Sequence, residues 1–269
     1  MRYAEFPPPD SLADIVRCFW TLTGSGKPES AAAADPALPD GSPELIVNPG
    51  DSFEYVPPAG RAVRQPEAFL VGQITRPFLV RPTGRVDLVA ARFESHGASL
   101  LHRPMHELTN RWIALTRLQR PALVAAVREL HGVRSPEARV VRLGAALEAL
   151  RHEGRGADPR VGAVVRMIRT RHGVLSFAEE SEQLGLSLRS LLRLFREHVG
   201  VSPKVLARIA RFQRVFSTVR DEPRNFARVA AACGYADQSH LVREFRELAG
   251  DAPARLLAGM PDFTAFFVA

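Results

Sequence analysis

Leu191-Leu192-Arg193-Leu194-Phe195-Arg196-Glu197 is repeated fifty residues later as Leu241-Val242-Arg243-Glu244-Phe245-Arg246-Glu247. A glycine and then a proline follow each copy at the same spacing. The matches continue upstream at an offset of forty-nine, where the pairs are Phe177 and Phe226, Ser181 and Ala230, and Gly185 and Gly234. Matches at a near-constant offset indicate a duplicated structural unit. We therefore expect the C-terminal half to contain two copies of one helical motif.

Each copy has the pattern of two helices joined by a tight turn. Leu191, Leu194 and Phe195 have the i, i+3, i+4 spacing of one apolar helix face. Gly185 allows a tight turn before this helix, and Ser187 is suited to cap it. The pattern is typical of a helix-turn-helix. The predicted helices are 159–172, 177–184 and 188–199, a long unbroken helix over 203–219, and then 226–233 and 238–248.

The charge of the chain is concentrated in this half. Residues 157–257 hold 17 Lys and Arg against 11 Asp and Glu, a net charge of +6, whereas residues 1–156 hold 19 against 17, a net of +2. Asp262 brings the total to +7. A basic region beside a nearly neutral one indicates that the basic region meets a polyanion.

The outward faces of the second helices carry groups that suit duplex DNA. They are Arg189, Ser190, Arg193 and Arg196 in the first copy, and Gln238, Ser239, His240, Arg243 and Arg246 in the second. Arginine pairs bidentately with guanine, and glutamine with adenine. Leu192 and Val242 would contact a thymine methyl if they are exposed, and would belong to the core if they are buried. Solvated helix faces, or a module that binds RNA or protein, are the alternatives for the same arginines.

The N-terminal half has the pattern of a small β-rich domain. Short apolar or alternating runs are separated by turns rich in proline and glycine, which favours a barrel or sandwich. The predicted strands are 15–22, 44–48, 52–56, 68–71, 78–81 and 86–93. Aromatic residues on these strands line a cavity or fill the core, and they are Phe19, Trp20, Phe53, Tyr55, Phe69, Phe78 and Phe93.

Helical periodicity follows Pro104. The first stripe is Leu108, Trp112, Leu115 and Leu118, the second is Leu123, Val127 and Leu130, and the third is Val140, Leu143, Leu147 and Leu150. Pro121 and Ser135-Pro136 are suited to begin the second and third helices. One of these helices is a candidate for contact with a partner subunit. A break at Gly154-Arg155-Gly156 divides the chain into predicted domains over residues 1–155 and 156–269.

Composition excludes several classes of protein. The chain has 269 residues, of which 46% are hydrophobic and 24% charged, as in soluble globular proteins. It has no apolar run near the ~20 residues of a membrane span, and its N-terminus lacks a signal peptide core. Two cysteines in different predicted domains give no disulfide framework. We expect a cytoplasmic protein that makes no contact with a membrane.

The N-terminal half contains one cluster of possible metal ligands. His96, His102 and His106 lie close in sequence, and the last two have the i, i+4 spacing that can share a metal on a helix. Pro104 interrupts such a helix. The alternative to a DNA-binding protein is therefore a metal-dependent, cupin-like enzyme domain fused to a targeting module. We favour ordinary surface or hydrogen-bonded histidines, and expect no catalytic residue, metal or cofactor.

From Phe226 to Pro253 the chain resembles the AraC family of bacterial transcriptional regulators. The residues that carry the resemblance are Ala230, Gly234, Tyr235, Asp237, His240, Leu241, Arg243, Phe245, Arg246, Gly250 and Pro253, and the likeness extends more loosely over 160–257. The first copy departs from the family pattern at Glu180, where an aliphatic residue is expected, and at Ser181. We expect its first helix to pack less tightly. The N-terminal half resembles the β-rich sensor domains of some members.

The resemblance implies a seven-helix domain with two helix-turn-helix units, behind a sensor or dimerisation domain. By position, the residues it assigns to base contact are Arg189, Leu192, Arg193, Gln238, Ser239, Val242 and Arg243. The residues we assign to phosphate contact are Ser190, Arg196, Arg208, His240 and Arg246. The sequence thus predicts an α+β protein, a β-rich cupin-like barrel or sandwich with helices followed by an all-α DNA-binding domain. Its expected partners are double-stranded promoter DNA, RNA polymerase, a small-molecule effector and a second copy of the chain.

Overall fold

A computed structural model describes residues 1–25, 34–152, 156–221 and 225–259. Ten strands precede nine α-helices along these residues. The strands are β1 Arg2–Phe6, β2 Val16–Ser25, β3 Asp35–Ala37, β4 Glu44–Val47, β5 Phe53–Val56, β6 Val63–Arg64, β7 Ala68–Val71, β8 Phe78–Pro82, β9 Arg85–Phe93 and β10 Trp112–Ala114. The helices are α1 Pro121–Glu129, α2 Pro136–His152, α3 Pro159–Thr170, α4 Phe177–Gln183, α5 Leu188–His198, α6 Pro203–Asp221, α7 Phe226–Ala232, α8 Gln238–Ala249 and α9 Pro253–Ala258.

The strands form two antiparallel sheets. The larger sheet has the order β1-β2-β9-β4-β7-β10, and the smaller has the order β3-β8-β5-β6. All six predicted strands are present, and strands β1, β3, β6 and β10 were not predicted. The expectation of a β-rich N-terminal region followed by a helical C-terminal region is confirmed.

The larger sheet lies between two apolar layers. Phe19, Val89 and Phe93 belong to a core shared with α1 and α2, whereas Trp20 and Leu88 belong to a core shared with the smaller sheet. Alternate residues of one strand point to opposite faces of a sheet. Strand β9 is therefore buried along almost its whole length, because both of its faces are covered.

The predicted helix over Leu108, Trp112, Leu115 and Leu118 is wrong. The chain there forms short 3-10 turns and strand β10, which pairs with β7 through Trp112 opposite Val71. Asn110 has a positive φ of 56°, which ends the turn before the strand and is incompatible with a continuing helix. Leu108, Leu115 and Leu118 are nevertheless buried, so the apolar spacing identified core residues but the wrong element.

The second and third predicted stripes are confirmed as α1 and α2. Pro121 begins α1, and the hydroxyl of Ser135 accepts a hydrogen bond from the backbone N–H of Ala138 at 3.3 Å at the start of α2. The apolar stripe of α2 is buried against the sheet. The predicted domain boundary falls between α2 and α3, where residues 153–155 lie outside the described ranges, and it stays a prediction.

The segment Leu38–Ser42 connects the sheets to the helical half. Leu38 is buried in the apolar core formed by α6, α7 and α8. The carbonyl of Pro39 accepts a hydrogen bond from the side chain of Gln213 on α6 at 2.6 Å. A Cβ atom on Gly41 would lie 3.1 Å from Leu206 of α6. The N-terminal half therefore contributes one of its own residues to the core of the helical half.

Candidate nucleic-acid interface

The first helix-turn-helix unit consists of α4 and α5. Gly185 in the turn has a φ of +64°, a conformation that favours glycine. The Oγ of Ser187 accepts a hydrogen bond from the backbone N–H of Ser190 at 3.1 Å, as predicted for the N-cap of α5. Ser176, which precedes α4, makes no side-chain cap. Leu191 and Phe195 are fully buried, which turns the opposite face of α5 outward.

The predicted reading residues of α5 lie on that outward face. Arg189, Arg193 and Arg196 are exposed, and Leu192 is 45% exposed. Ser190 is half-buried, and its hydroxyl lies 2.9 Å from that of Ser187 within the helix cap. These five residues surround one shallow surface depression. Leu192 is therefore free for the apolar contact considered above.

The second unit, α7 and α8, is built in the same way. Gly234 has a φ of +77° in the turn, and the carboxylate of Asp237 accepts a hydrogen bond from the backbone N–H of His240 at 2.7 Å. The residues around the shallow depression on its outward face are Gln238, Ser239, Val242, Arg243, Arg246 and Glu247. Val242 is half-buried against the core, so it offers less surface than Leu192.

His240 is held by its neighbours rather than extended into solvent. Its ring packs edge-on against Tyr235 with a centroid distance of 5.3 Å. Its Nδ1 lies 3.4 Å from the backbone N–H of Ala236, and its Nε2 lies 3.8 Å from the carboxylate of Glu244. The phosphate contact predicted for His240 stays a prediction. In this structure the side chain contacts residues that precede α8.

A buried carboxylate on α8 was missed in the sequence. Glu244 is only 5% exposed. It accepts a hydrogen bond from Nε of Arg208 at 2.8 Å and lies 3.3 Å from Nη2 of Arg211, both on α6. Arg211 also lies over the ring of Tyr235 at 5.6 Å. The repeat could have predicted the burial of Glu244, because this residue occupies the inward position that Leu194 has in the first copy.

Arg208 lies in this network and not on an open surface. Its guanidinium is also paired with Glu247. Burial works against the charged form, but the hydrogen bonds to Glu244 and Glu247 outweigh it and raise the pKa of Arg208 above its ordinary value. The phosphate contact predicted for Arg208 stays a prediction, and the loss of Arg208 is expected to disturb the position of α8 as well.

Glu180 is a buried acid in the first unit. It is 2% exposed on α4 and forms an ion pair with Arg171, which follows α3. One of its oxygens, Oε2, has no hydrogen-bond partner in the part of the chain that the structure describes. A carboxylate therefore occupies an inward position of α4 where α7 has Val229, and a single half-exposed arginine compensates it.

The end of α5 contacts the N-terminal half directly. Thr109 donates a hydrogen bond to the carbonyl of Gly200 at 2.7 Å, and Arg196 donates one to Nε2 of His106 at 3.0 Å. A Cβ atom on Gly200 would lie 2.9 Å from the carbonyl oxygen of Met105. One of the arginines predicted to contact phosphate, Arg196, is thus bound to the N-terminal half in this structure.

The three clustered histidines do not form a metal site. His96 is buried beside Gly162 of α3, and Nε2 of His102 lies 3.5 Å from Glu107, while His106 receives Arg196. Among the described residues, no three side chains of the His, Cys, Asp and Glu types are grouped closely enough to hold a metal ion. The geometry therefore gives the enzyme alternative no metal centre.

The N-terminal half contains an apolar cavity of about 100 Å³. Trp20, Phe53, Phe69 and Phe78 line it, as expected if these aromatic residues surround a cavity. Phe19 and Phe93 instead fill the core beneath α1 and α2, which was the alternative expectation. Tyr55 packs on Phe78 and Trp112 at centroid distances of 4.9 and 5.1 Å.

None of the described helices is both long enough and apolar enough to cross a membrane.

Two family comparisons match separate parts of the chain. Residues 4–114 match a family described as a domain of unknown function (DUF6597). Residues 181–259 match a helix-turn-helix domain family. The match begins inside α4, so it covers most of the first unit and all of the second.

Two curated relatives match part of the chain. The HTH-type transcriptional activator RhaS of Escherichia fergusonii is 25% identical over 148 residues, which are 54% of this chain and 52% of the relative. The RhaS of Pectobacterium atrosepticum is 28% identical over 76 residues, which are 28% of this chain and 27% of the relative. The chain thus spans about half the length, or less, of the curated relatives it matches.

Solved structures of ToxT from Vibrio cholerae are similar along most of the chain. One at 12% identity covers 88% of this chain and 98% of ToxT with a TM-score of 0.49. Another, with an unsaturated fatty acid bound, has 13% identity, covers 89% of this chain and 94% of ToxT, and has a TM-score of 0.46. The match to a helix-turn-helix domain family and the similarity to RhaS agree with the resemblance to AraC-type regulators, and a β-rich region precedes the helix-turn-helix units in this chain.

Proposed function

We propose that this protein is a sequence-specific transcription regulator that binds duplex promoter DNA through α5 and α8. The observation that carries the proposal is the pair of repeated helices, each of which presents arginines and small polar groups around a shallow surface depression. Two such helices can enter successive major grooves on one face of DNA, roughly 34 Å apart.

Different residues of the two helices contact the base edges and the phosphates of the DNA. Arg193 and Arg243, near the middle of each outward face, contact base edges, with Arg189, Leu192, Gln238, Ser239 and Val242 beside them. Arg196 and Arg246, one turn further, contact phosphates, together with Ser190 and His240. Phosphate contacts supply affinity and base contacts supply specificity.

The long helix α6 connects the two units. Its 19 residues have a length of about 28 Å at 1.5 Å per residue. Ile209 and Phe212 are fully buried along it, and Arg208 and Arg211 bind the carboxylate of α8. The connection between the units is therefore packed and charge-paired, which favours a fixed spacing of the two reading helices.

The N-terminal half regulates DNA binding in response to a small molecule, to a second copy, or to both. Its aromatic cavity and its direct contacts to α5 and α6 support this role. The RhaS relatives are named transcriptional activators, which favours a regulator that acts with RNA polymerase in the cytoplasm and has no catalytic activity.

Selection from a random pool of duplex DNA tests the proposal. The full chain should enrich one sequence with two half-sites one helical turn apart. That duplex should then outcompete an RNA of the same sequence, and a random duplex, in a mobility-shift assay. Equal competition by RNA would contradict the proposal, and so would the failure of any sequence to be enriched.

A further inference from the structure

A shallow cleft lies beside the C-terminal end of α5, and we call it the α5 cleft. Its walls come from residues 103–106 of the N-terminal half, which lie between β9 and β10 in the sequence, and from α5 itself. The lining residues are Arg103, Pro104, His106, Arg193, Arg196 and Glu197. Two of them, Arg193 and Arg196, also line the depression on the outward face of α5. The α5 cleft is therefore continuous with the predicted DNA-reading surface.

Positive charge predominates in the α5 cleft. Three guanidinium groups line it, those of Arg103, Arg193 and Arg196, against one carboxylate, that of Glu197. All three arginines are exposed. The carboxylate of Glu197 lies 3.9 Å from Nη1 of Arg193, one turn earlier on the same helix. A cleft lined mainly by one sign of charge concentrates ions of the opposite sign, so we expect an anion to occupy it.

The segment that carries Arg103 is held against the end of α5 by hydrogen bonds. Nη2 of Arg196 donates to Nε2 of His106 at 3.0 Å. Further along the same segment, the hydroxyl of Thr109 donates to the carbonyl of Gly200 at 2.7 Å. Arg103 and Arg196 therefore lie on one packed surface that contains residues of both halves. A surface that is already ordered loses less entropy when a ligand binds across it.

The position of the α5 cleft suits the DNA backbone. The N-terminal residues of a recognition helix reach base edges in the major groove, whereas Arg196 lies in the last turn of α5. Residues beside that last turn face the phosphates at the edge of the groove, and in this protein they include Arg103 of the N-terminal half. A guanidinium has five N–H donors, so a protein partner at one of them does not exclude a phosphate oxygen at another.

We propose that the α5 cleft binds one phosphate of the DNA backbone, with Arg103 of the N-terminal half and Arg196 of α5 both donating hydrogen bonds to its oxygens. The N-terminal half then takes part in DNA binding directly. This contact carries no base information, so it raises the affinity for every duplex alike. The inference rests on the proposed function, because it requires that α5 enters a major groove.

The salt dependence of DNA binding by the full chain tests the inference. The duplex enriched in the selection above and a random duplex of the same length are titrated at NaCl concentrations from about 50 to 200 mM. Each phosphate contact contributes about 0.9 to the steepness of log affinity against log salt. We expect Arg103→Ala to lower this steepness by about 0.9, and to weaken binding to both duplexes about tenfold at the lowest salt. Arg103→Lys should keep most of the steepness, because it keeps the charge.

Arg142→Ala is the matched control. Arg142 is an exposed arginine of α2 that does not line the α5 cleft, so its loss removes the same charge and should leave the salt dependence unchanged. The inference is overturned if Arg103→Ala leaves the salt dependence unchanged, strengthens binding, or weakens binding to the selected duplex alone. Equal losses for Arg103→Ala and Arg142→Ala would also overturn it, because net charge alone would then explain both.

The unmodified chain separates this inference from the proposed function. If it binds neither duplex, the proposed function fails, and the inference fails with it. If it binds the selected duplex tightly and Arg103→Ala binds as the unmodified chain does at every salt concentration, the inference alone fails.

Discussion

The two helix-turn-helix units share a sequence pattern but hold their reading helices differently. In the second unit, a buried carboxylate on the reading helix itself, Glu244, binds Arg208 and Arg211 of α6. In the first unit the matching position is the apolar Leu194, and the buried acid, Glu180, lies on the supporting helix α4. Helix α8 is therefore fixed to the rest of its own domain by charge as well as by packing.

The first unit is held from another direction. The end of α5 contacts Met105, Thr109 and His106 of the N-terminal half. The corresponding end of α8 makes a looser approach, since a Cβ atom on Gly250 would lie 3.4 Å from Pro77. The difference teaches that the two copies are held by different parts of the chain: the end of α5 contacts the N-terminal half, whereas α8 is bound to α6 through Glu244.

Substitution of the two buried acids should give the largest difference in stability between the two units. Glu244→Ala leaves two arginines of α6 without their shared carboxylate, so we expect the free energy of unfolding to fall by about 3 kcal/mol. Glu180→Ala leaves only Arg171, which is half-exposed and regains water, so we expect a loss of about 1 kcal/mol. Urea denaturation of both variants measures the difference. Equal losses would break the comparison, and Glu180→Val, which copies Val229, should cost less than Glu180→Ala.

Substitution of the two helix-ending glycines by alanine should show how tightly each unit packs against the N-terminal half. Gly200 and Gly250 have φ values of +94° and +78°, so both substitutions carry backbone strain of about 1 kcal/mol. Only Gly200→Ala also drives a Cβ atom against the carbonyl of Met105 at 2.9 Å. We expect it to cost about 2–3 kcal/mol in thermal unfolding, against about 1 kcal/mol for Gly250→Ala. The reverse order would show that the α5 contact with the N-terminal half is not the tighter one.

Acid should destabilise the folded chain through His96, which is buried beside Gly162 of α3. Burial lowers the pKa of His96 to about 4, while Asp14 favours its protonation and Arg166 and His198 oppose it. Because the folded state binds this proton less readily than the unfolded state, the stabilisation is complete above about pH 6.5 and is lost as the pH falls toward 4. The contribution of His96 to the free energy of unfolding should fall by about 2 kcal/mol between pH 7 and pH 5.

The variant His96→Gln isolates this effect. Its unfolding should depend less on pH over that interval than that of the unmodified chain, whereas His131→Gln, at an exposed position, should change nothing. An unchanged pH dependence in His96→Gln would contradict the assignment to His96.

Much of the fold could be predicted because local signals agree with tertiary packing. Turn glycines, helix caps and apolar spacing placed α5, α6 and α8 within a residue or two of their observed bounds. The same spacing predicted a helix around Trp112, where pairing with β7 and the positive φ of Asn110 produce a strand. Periodicity over so few residues does not distinguish the two elements.

The contacts between distant parts of the chain could not be predicted. Leu38 is apolar, but its sequence neighbours contain nothing that indicates burial against α6 and α8, more than 160 residues away. The role of Arg208 was likewise set by a partner 36 residues distant. The arginines predicted to read DNA lie on the outward faces that the repeat indicates, because their exposure follows from the burial of Leu191, Phe195, Leu241 and Phe245. Their contacts with DNA stay a prediction.

The smallest expected effect tests the central claim most directly. The duplex selected by the full chain and a random duplex of the same length are titrated with Arg243→Ala and with Arg246→Ala. We predict that Arg243→Ala weakens binding to the selected duplex about tenfold, since a good base contact is worth about 1–3 kcal/mol, and leaves binding to the random duplex nearly unchanged. Arg246→Ala should weaken both alike. Equal losses on the two duplexes for Arg243→Ala would contradict the account of α8 as a reading helix.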